Sequence, residues 1–160
     1  MRLNLREIIH VPGASLPFAF QLDLSQEEFF GEHPIPRPVQ VQGRVKNVAD
    51  VLVLEGEARS LLDYTCDRCM EPFQREKVVG LSALLAETLE GEEDEDIVLL
   101  ENGEVDVGDL AYTAFLLAMD TKHLCSEDCK GLCMVCGCDL NESECNCQKT
   151  DAFGLSRNGL

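Results

Sequence analysis

Phe18, Phe20, Leu22 and Leu24 alternate with Ala19, Gln21 and Asp23, and Val39, Val41, Gly43 and Val45 alternate with Gln40, Gln42 and Arg44. A period of two predicts strands with one face on a core and the other in water. Residues 3–9, 18–24, 39–48 and 51–58 are the β-prone runs, separated by turn residues at Pro12-Gly13, 34–38 and Asn47. Short turns between consecutive strands favour antiparallel pairing. Residues 59–65 lead into Cys66-Asp67-Arg68-Cys69 and residues 73–85 lead out of it, which makes 66–72 the expected turn of a further hairpin. Ser25 followed by Glu28 has the form of a capping box and marks a short helical turn over 25–30. Later, Leu110, Ala114, Leu117 and Ala118 recur at helical spacing within 108–120, with Asp109 near the positive end of the helix. That apolar stripe is expected to pack on the sheet.

The pattern changes at Thr121. From there to Cys147 the chain holds seven cysteines, several glycines and few core-sized side chains. Such a segment cannot bury enough to fold alone and needs metal to order it. The expectation is an α+β fold: a mostly antiparallel β N-terminal body, one main helix and a Cys-rich zinc-knuckle C-terminal tail. Residues 1–120 are read as the body with its Cys-x-x-Cys hairpin and helix, 121–150 as the zinc-binding segment and 151–160 as a flexible tail.

Length and charge narrow the function. The chain has 160 residues, about one domain's worth. Thirteen basic against 30 acidic residues give a formal charge of −17, which disfavours capture of polyphosphate or anionic lipid by global attraction. The balance is uneven: residues 35–80 carry seven of each sign, whereas 81–160 carry four basic and eighteen acidic groups. An anionic partner should therefore approach the middle stretch. Residues 90–96 hold six acids in seven positions and read as a solvated loop. No apolar run approaches the roughly 20 residues that span a bilayer, and residues 1–16 show no secretory pattern. A soluble protein of the cytoplasm is expected, where thiols persist as metal ligands and not as disulfides.

The nine cysteines fall into Cys66/Cys69, Cys125/Cys129, Cys133/Cys136 and Cys145/Cys147, with Cys138 left over. Eight ligands make two four-thiolate sites, and a tetrahedral zinc takes four sulfurs at about 2.3 Å. Gly131 and Gly137 supply the permissive backbone that a knuckle needs. Four pairs combine into two sites in three ways. The preferred one places Cys66/Cys69 with Cys125/Cys129, and Cys133/Cys136 with Cys145/Cys147; loop-closure entropy, logarithmic in length, cannot choose among them. His123 is an alternative ligand, Cys138 a free thiol or a small buried residue, and an iron–sulfur cluster would use the same donors. The three histidines pair with no nucleophile or carboxylate, no phosphate loop exists, and filled four-thiolate sites leave no position for water, so the chain is not read as an enzyme.

With its cysteines laid out, the sequence resembles the YceD-like family, the large ribosomal RNA subunit accumulation proteins. The resemblance rests on Cys66-Asp67-Arg68-Cys69-Met70-Glu71-Pro72-Phe73, on Glu104-Val105-Asp106-Val107, and above all on the run from Cys125 to Gly137 containing Cys129-Lys130-Gly131-Leu132-Cys133, followed by Asp139-Leu140-Asn141. It implies a cytoplasmic, non-enzymatic factor needed for large-subunit ribosomal RNA to be processed or to accumulate. Two positions depart from the family: Asp151-Ala152-Phe153 lacks the arginine commonly found there, and Cys138 stands where another residue is expected. The expected partner is large-subunit ribosomal RNA or, given the acidity, a basic ribosomal protein, with Arg68 as the preferred contact. The alternative is a zinc-stabilised adaptor or thiol redox sensor, with Cys138 as the sensing thiol.

Overall fold

The structure is a computed structural model that describes residues 1–89 and 97–147. The expectations for 90–96 and 151–160 lie outside the described residues. The chain divides into two compact units, one of Met1–Asp63 with Gln74–Thr121, the other of Tyr64–Phe73 with Lys122–Leu160. The tip of the Cys-x-x-Cys hairpin thus groups with the Cys-rich segment.

The described residues form seven strands and a helix. In chain order they are β1 (Arg2–Asn4), β2 (Ser15–Leu22), β3 (Val39–Val48), β4 (Val51–Thr65), β5 (Pro72–Ala86), β6 (Ile97–Leu99), β7 (Glu104–Asp106) and α1 (Val107–Leu117). Strands β2 to β6 form one sheet in sequential order, and β1 pairs with β7 in a second. The fold is α+β and mostly antiparallel, as expected, but β6 joins β5 in parallel, with Leu84 opposite Ile97. The two runs 51–58 and 59–65 are one continuous strand.

Strand β3 shows why alternation predicts a half-wet sheet. Val39, Val41 and Val45 are buried while Gln40, Gln42 and Arg44 face out. At the inward position between Val41 and Val45 stands Gly43, opposite Gly56 on β4 and opposite Phe18 on β2. A Cβ on Gly43 would lie 2.7 Å from the Phe18 ring and 2.3 Å from the Glu55 carbonyl oxygen. The Phe18 ring occupies the space that a side chain would fill.

Three expectations need correction. Residues 3–9 are not one strand: β1 ends at Asn4, whose carboxamide oxygen accepts the Arg6 N–H at 3.0 Å. Leu5 and Ile8 are both buried, and that spacing of three suits a turn, closed by Ile8 N–H donating to the Leu5 carbonyl at 2.9 Å. Residues 25–30 form no helix. Asp23 accepts the Ser25 N–H at 2.9 Å, and Phe30-Gly31, both at positive φ, turn the chain so that Phe29 bridges Glu32.

The helix spans Val107–Leu117 where 108–120 is expected, and it is turned about its axis relative to the expected stripe. Its buried face is Val107, Gly108, Ala111 and Phe115, whereas Leu117 is 82% exposed. Phe115 is fully buried, a contribution of about 1.5–3 kcal/mol for a large apolar side chain, and it sets the orientation. Leu110 and Ala114 lie half-buried on the flank. Asp106 caps the helix by accepting the Asp109 N–H at 3.0 Å.

A buried amide ties the start of the chain to this sheet. Asn47, 1% exposed, donates from Nδ2 to the Ile8 and Ile9 carbonyls at 2.8 Å each and accepts the Asp50 N–H at 2.9 Å.

Candidate metal centres

The second unit brings eight cysteines into two groups. Cys66, Cys69, Cys125 and Cys129 form one, Cys133, Cys136, Cys145 and Cys147 the other, and within each group the sulfurs lie within 4.8 Å of one another. Of the three possible groupings, this is the one found. Four sulfurs at about 2.3 Å from a tetrahedral ion stand about 3.8 Å apart. Cys66 and Cys129 are 3.8 Å apart, and Cys69 and Cys125 3.7 Å. In the other group Cys136–Cys145 is 3.5 Å and Cys145–Cys133 3.3 Å. Donor type, number and span therefore fit one ion per group, and each group could hold a metal.

Backbone hydrogen bonds build the first centre. Met70 N–H donates to the Cys66 carbonyl at 3.0 Å and Cys66 N–H to the Glu71 carbonyl at 2.9 Å, folding the hairpin tip into a knuckle with Met70 at positive φ. The two residues between the cysteines hold the C-terminal segment. Asp67 donates its N–H to the His123 carbonyl at 2.8 Å and accepts the His123 N–H at 2.7 Å on its carboxylate. Arg68 donates from Nη1 to the Cys129 carbonyl at 2.9 Å, and its own carbonyl accepts the Leu132 N–H at 3.1 Å. The side chain expected to meet a partner thus has a structural task inside the unit. His123 stacks on Tyr64 with ring centroids 3.9 Å apart and belongs to neither sulfur group. Cys66, Cys69 and Cys129 are buried, with Phe73, Leu124 and Leu132 packed around them.

The second centre is more open and rests on two left-handed glycines. Gly131 (φ 78°) and Gly137 (φ 73°) let residues 131–133 fold back on 138–140. Cys133 N–H donates to the Cys138 carbonyl at 2.8 Å, Leu140 N–H to the Gly131 carbonyl at 2.9 Å, and Gly137 N–H to the Cys133 carbonyl at 2.9 Å.

Both groups contain thiols prepared to lose a proton: Cys66 in the first, and Cys133 and Cys136 in the second, where the Cys138 N–H lowers Cys136. Burial raises Cys66, but N–H donors from Cys69, Cys125 and Arg68 outweigh it and bring it down to about 6. Cys133 is lowered to about 6 by the backbone N–H groups of Cys136 and Val135. The neighbouring thiols oppose further ionisation: Cys147 is pushed up to about 12 by Cys145 and Cys136. A cation relieves that repulsion, which is why metal uptake releases protons. Cys138 is half-buried against the Cys136 and Cys145 thiols and is pushed up to about 12 by Cys136 first.

The spacing of the cysteines did not reveal Asn141. Its Nδ2 donates to the Cys129 sulfur at 3.3 Å, although the residue lies in the loop between Cys136 and Cys145. The only sequence signal is Asp139-x-Asn141, a turn-forming pair.

The family model described as large ribosomal RNA subunit accumulation protein YceD matches residues 54–154. Large ribosomal RNA subunit accumulation protein YCED homolog 1, chloroplastic, from Zea mays is 26% identical over 151 residues, covering 74% of this chain and 52% of that protein. The protein of the same name from Arabidopsis thaliana is 25% identical over 152 residues, covering 75% and 47%. The chain spans about half the length of the curated relatives it matches. No solved structure matches it. Among the described residues no helix is long and apolar enough to cross a membrane.

Proposed function

The chain belongs to the YceD family of large ribosomal RNA subunit accumulation proteins, and from that premise we propose that it is a non-enzymatic ribosome-biogenesis factor whose second unit is held by two zinc ions. The observation that carries this reading is the pair of four-sulfur groups, both inside the matched segment 54–154. Eight cysteine sulfurs suit zinc, and four protein donors around a tetrahedral ion leave no site for an activated water, so the ions act on folding and not on chemistry. The factor works by binding.

Charge selects the proposed partner. The described residues of the second unit carry three basic and seven acidic side chains, and each filled centre adds a charge of −2. A basic ribosomal protein is favoured over bare RNA by attraction alone. The cytoplasm is the proposed compartment; the maize and Arabidopsis relatives are named as chloroplastic.

Depletion of the protein, with precursor and mature ribosomal RNA of both subunits measured separately, tests the role: mature large-subunit RNA should fall while small-subunit RNA holds. A balanced profile would remove the proposal. Metal analysis of protein purified without added chelator should return two zinc ions per chain, and a coloured, iron-bearing preparation would reassign the ion.

A further inference from the structure

We propose that Asn141 couples the two sulfur centres, so that an ion held by Cys133, Cys136, Cys145 and Cys147 strengthens metal binding by Cys66, Cys69, Cys125 and Cys129. The inference rests on the reading that both groups take zinc, and it adds a coupling between them and a residue that transmits it.

Every polar atom of the Asn141 side chain is engaged. Nδ2 donates to the Cys129 sulfur at 3.3 Å and to the Asp139 carboxylate at 2.9 Å, and Oδ1 accepts the Lys130 N–H at 2.8 Å. Asp139 also accepts the Asn141 backbone N–H at 2.8 Å. The reverse amide orientation would set oxygen against sulfur and carboxylate, and N–H against N–H, so the network allows one orientation. The donor therefore points at a ligand of the first centre from a loop that belongs to the second.

That loop runs from Cys136 to Cys145, and both its ends are ligands of the second centre. Without an ion there, holding residues 138–141 in place costs conformational entropy that only a few hydrogen bonds offset. With the ion bound, the amide is delivered to Cys129 already oriented. A filled four-thiolate centre carries a net charge of −2, and an N–H donor at one sulfur stabilises that charge more than it stabilises neutral thiols. Groups that hydrogen-bond to metal ligands typically account for about 10–100-fold in metal affinity. Coupling is reciprocal in binding free energy, so the first ion must strengthen the second by the same factor.

The test uses the full chain and zinc, with affinities read by competition against a chromophoric chelator and the occupied cysteines identified by alkylation at limiting metal. Cys136→Ser with Cys145→Ser disables the second centre. That double variant and Asn141→Ala should each weaken the first centre about 10–100-fold, and all three changes together should weaken it no further than the greater of the two. Asn141→Asp keeps an acceptor for the Lys130 N–H but sets a carboxylate against sulfur, so it should lose more affinity than Asn141→Ala. Far-UV circular dichroism of the zinc-loaded variants checks that each is folded. If wild-type protein binds two zinc ions and Asn141→Ala leaves the first centre unchanged, or the losses simply multiply, the coupling is refuted while the zinc reading stands. If wild-type protein takes up no zinc, both fall.

Discussion

Gly131 and Gly137 share a left-handed backbone, with φ of 78° and 73°, yet their surroundings differ. A Cβ on Gly137 would meet nothing within 4 Å, whereas on Gly131 it would lie 3.1 Å from the Arg68 carbonyl oxygen and 3.3 Å from the Arg68 Cβ. That carbonyl accepts the Leu132 N–H at 3.1 Å, so moving it aside strains the hydrogen bond that joins the knuckle to the hairpin tip. Gly137→Ala should cost only the left-handed conformation, about 1–2 kcal/mol. Gly131→Ala should cost that plus the crowding, another 1 kcal/mol or so at the low end of overpacking penalties. On the proposed reading that zinc orders this unit, folding and metal uptake are one equilibrium and these costs should lower zinc affinity: about 5–30-fold for Gly137→Ala and roughly five times more for Gly131→Ala. Chelator competition on the two variants side by side measures the difference. Equal losses, or the greater loss at Gly137, would refute the account of the Arg68 contact.

The first unit yields sharper contrasts among its own residues. Gly43→Ala places a Cβ 2.3 Å from a backbone oxygen and should cost at least about 2 kcal/mol, whereas Gly80→Ala, with nothing within 4 Å, should be neutral or stabilising by up to about 1 kcal/mol; urea midpoints of the zinc-loaded proteins compare them. Asn47→Ala removes the donor to the Ile8 and Ile9 carbonyls and the acceptor of the Asp50 N–H, an expected loss of about 3 kcal/mol, with amide exchange rising at Asp50. The Asp109 N–H holds the Asp106 carboxyl below its usual value, so its contribution is complete above the unfolded value near about 3.9 and is lost as pH falls through the lower folded value. Asp106→Asn should flatten that acid limb of the urea midpoint while keeping the cap.

What the sequence shows and what it hides follow from where each constraint acts. Alternation over 39–48 is a local property of one strand, and the strand appears with the expected ends. The turn at Leu5–Ile8 is hidden because its spacing of three is embedded in a β-prone run, and only burial of both residues reveals it. The helix face was misjudged because leucines outweighed Phe115 in the pattern, although the aromatic ring needs the larger cavity. Asn47 reads as a turn residue, yet it lies within β3 opposite Leu52, and its reach to Ile8, 39 positions earlier, is a tertiary fact. The cysteine pairs were legible because a knuckle is local. Their grouping was legible only as the preferred one of three, since hydrogen bonds such as Arg68 to Cys129 act across 61 positions and leave no periodicity.

Metal and charge act together in the partner proposal. With thiols counted as neutral the described residues of the second unit carry about −4; Cys66 and Cys133, both lowered to about 6, bring the metal-free unit nearer −6, and two filled centres take it to about −8. At physiological salt the Debye length is about 8 Å, so this charge is felt mainly by whatever touches the unit itself. Loading should therefore speed association with a cationic protein segment and slow association with RNA. The two partner classes respond to zinc with opposite sign. Association rates of metal-free and zinc-loaded protein toward a basic ribosomal protein and toward ribosomal RNA separate them directly, because a loss of order on metal removal would slow both, whereas the charge effect cannot.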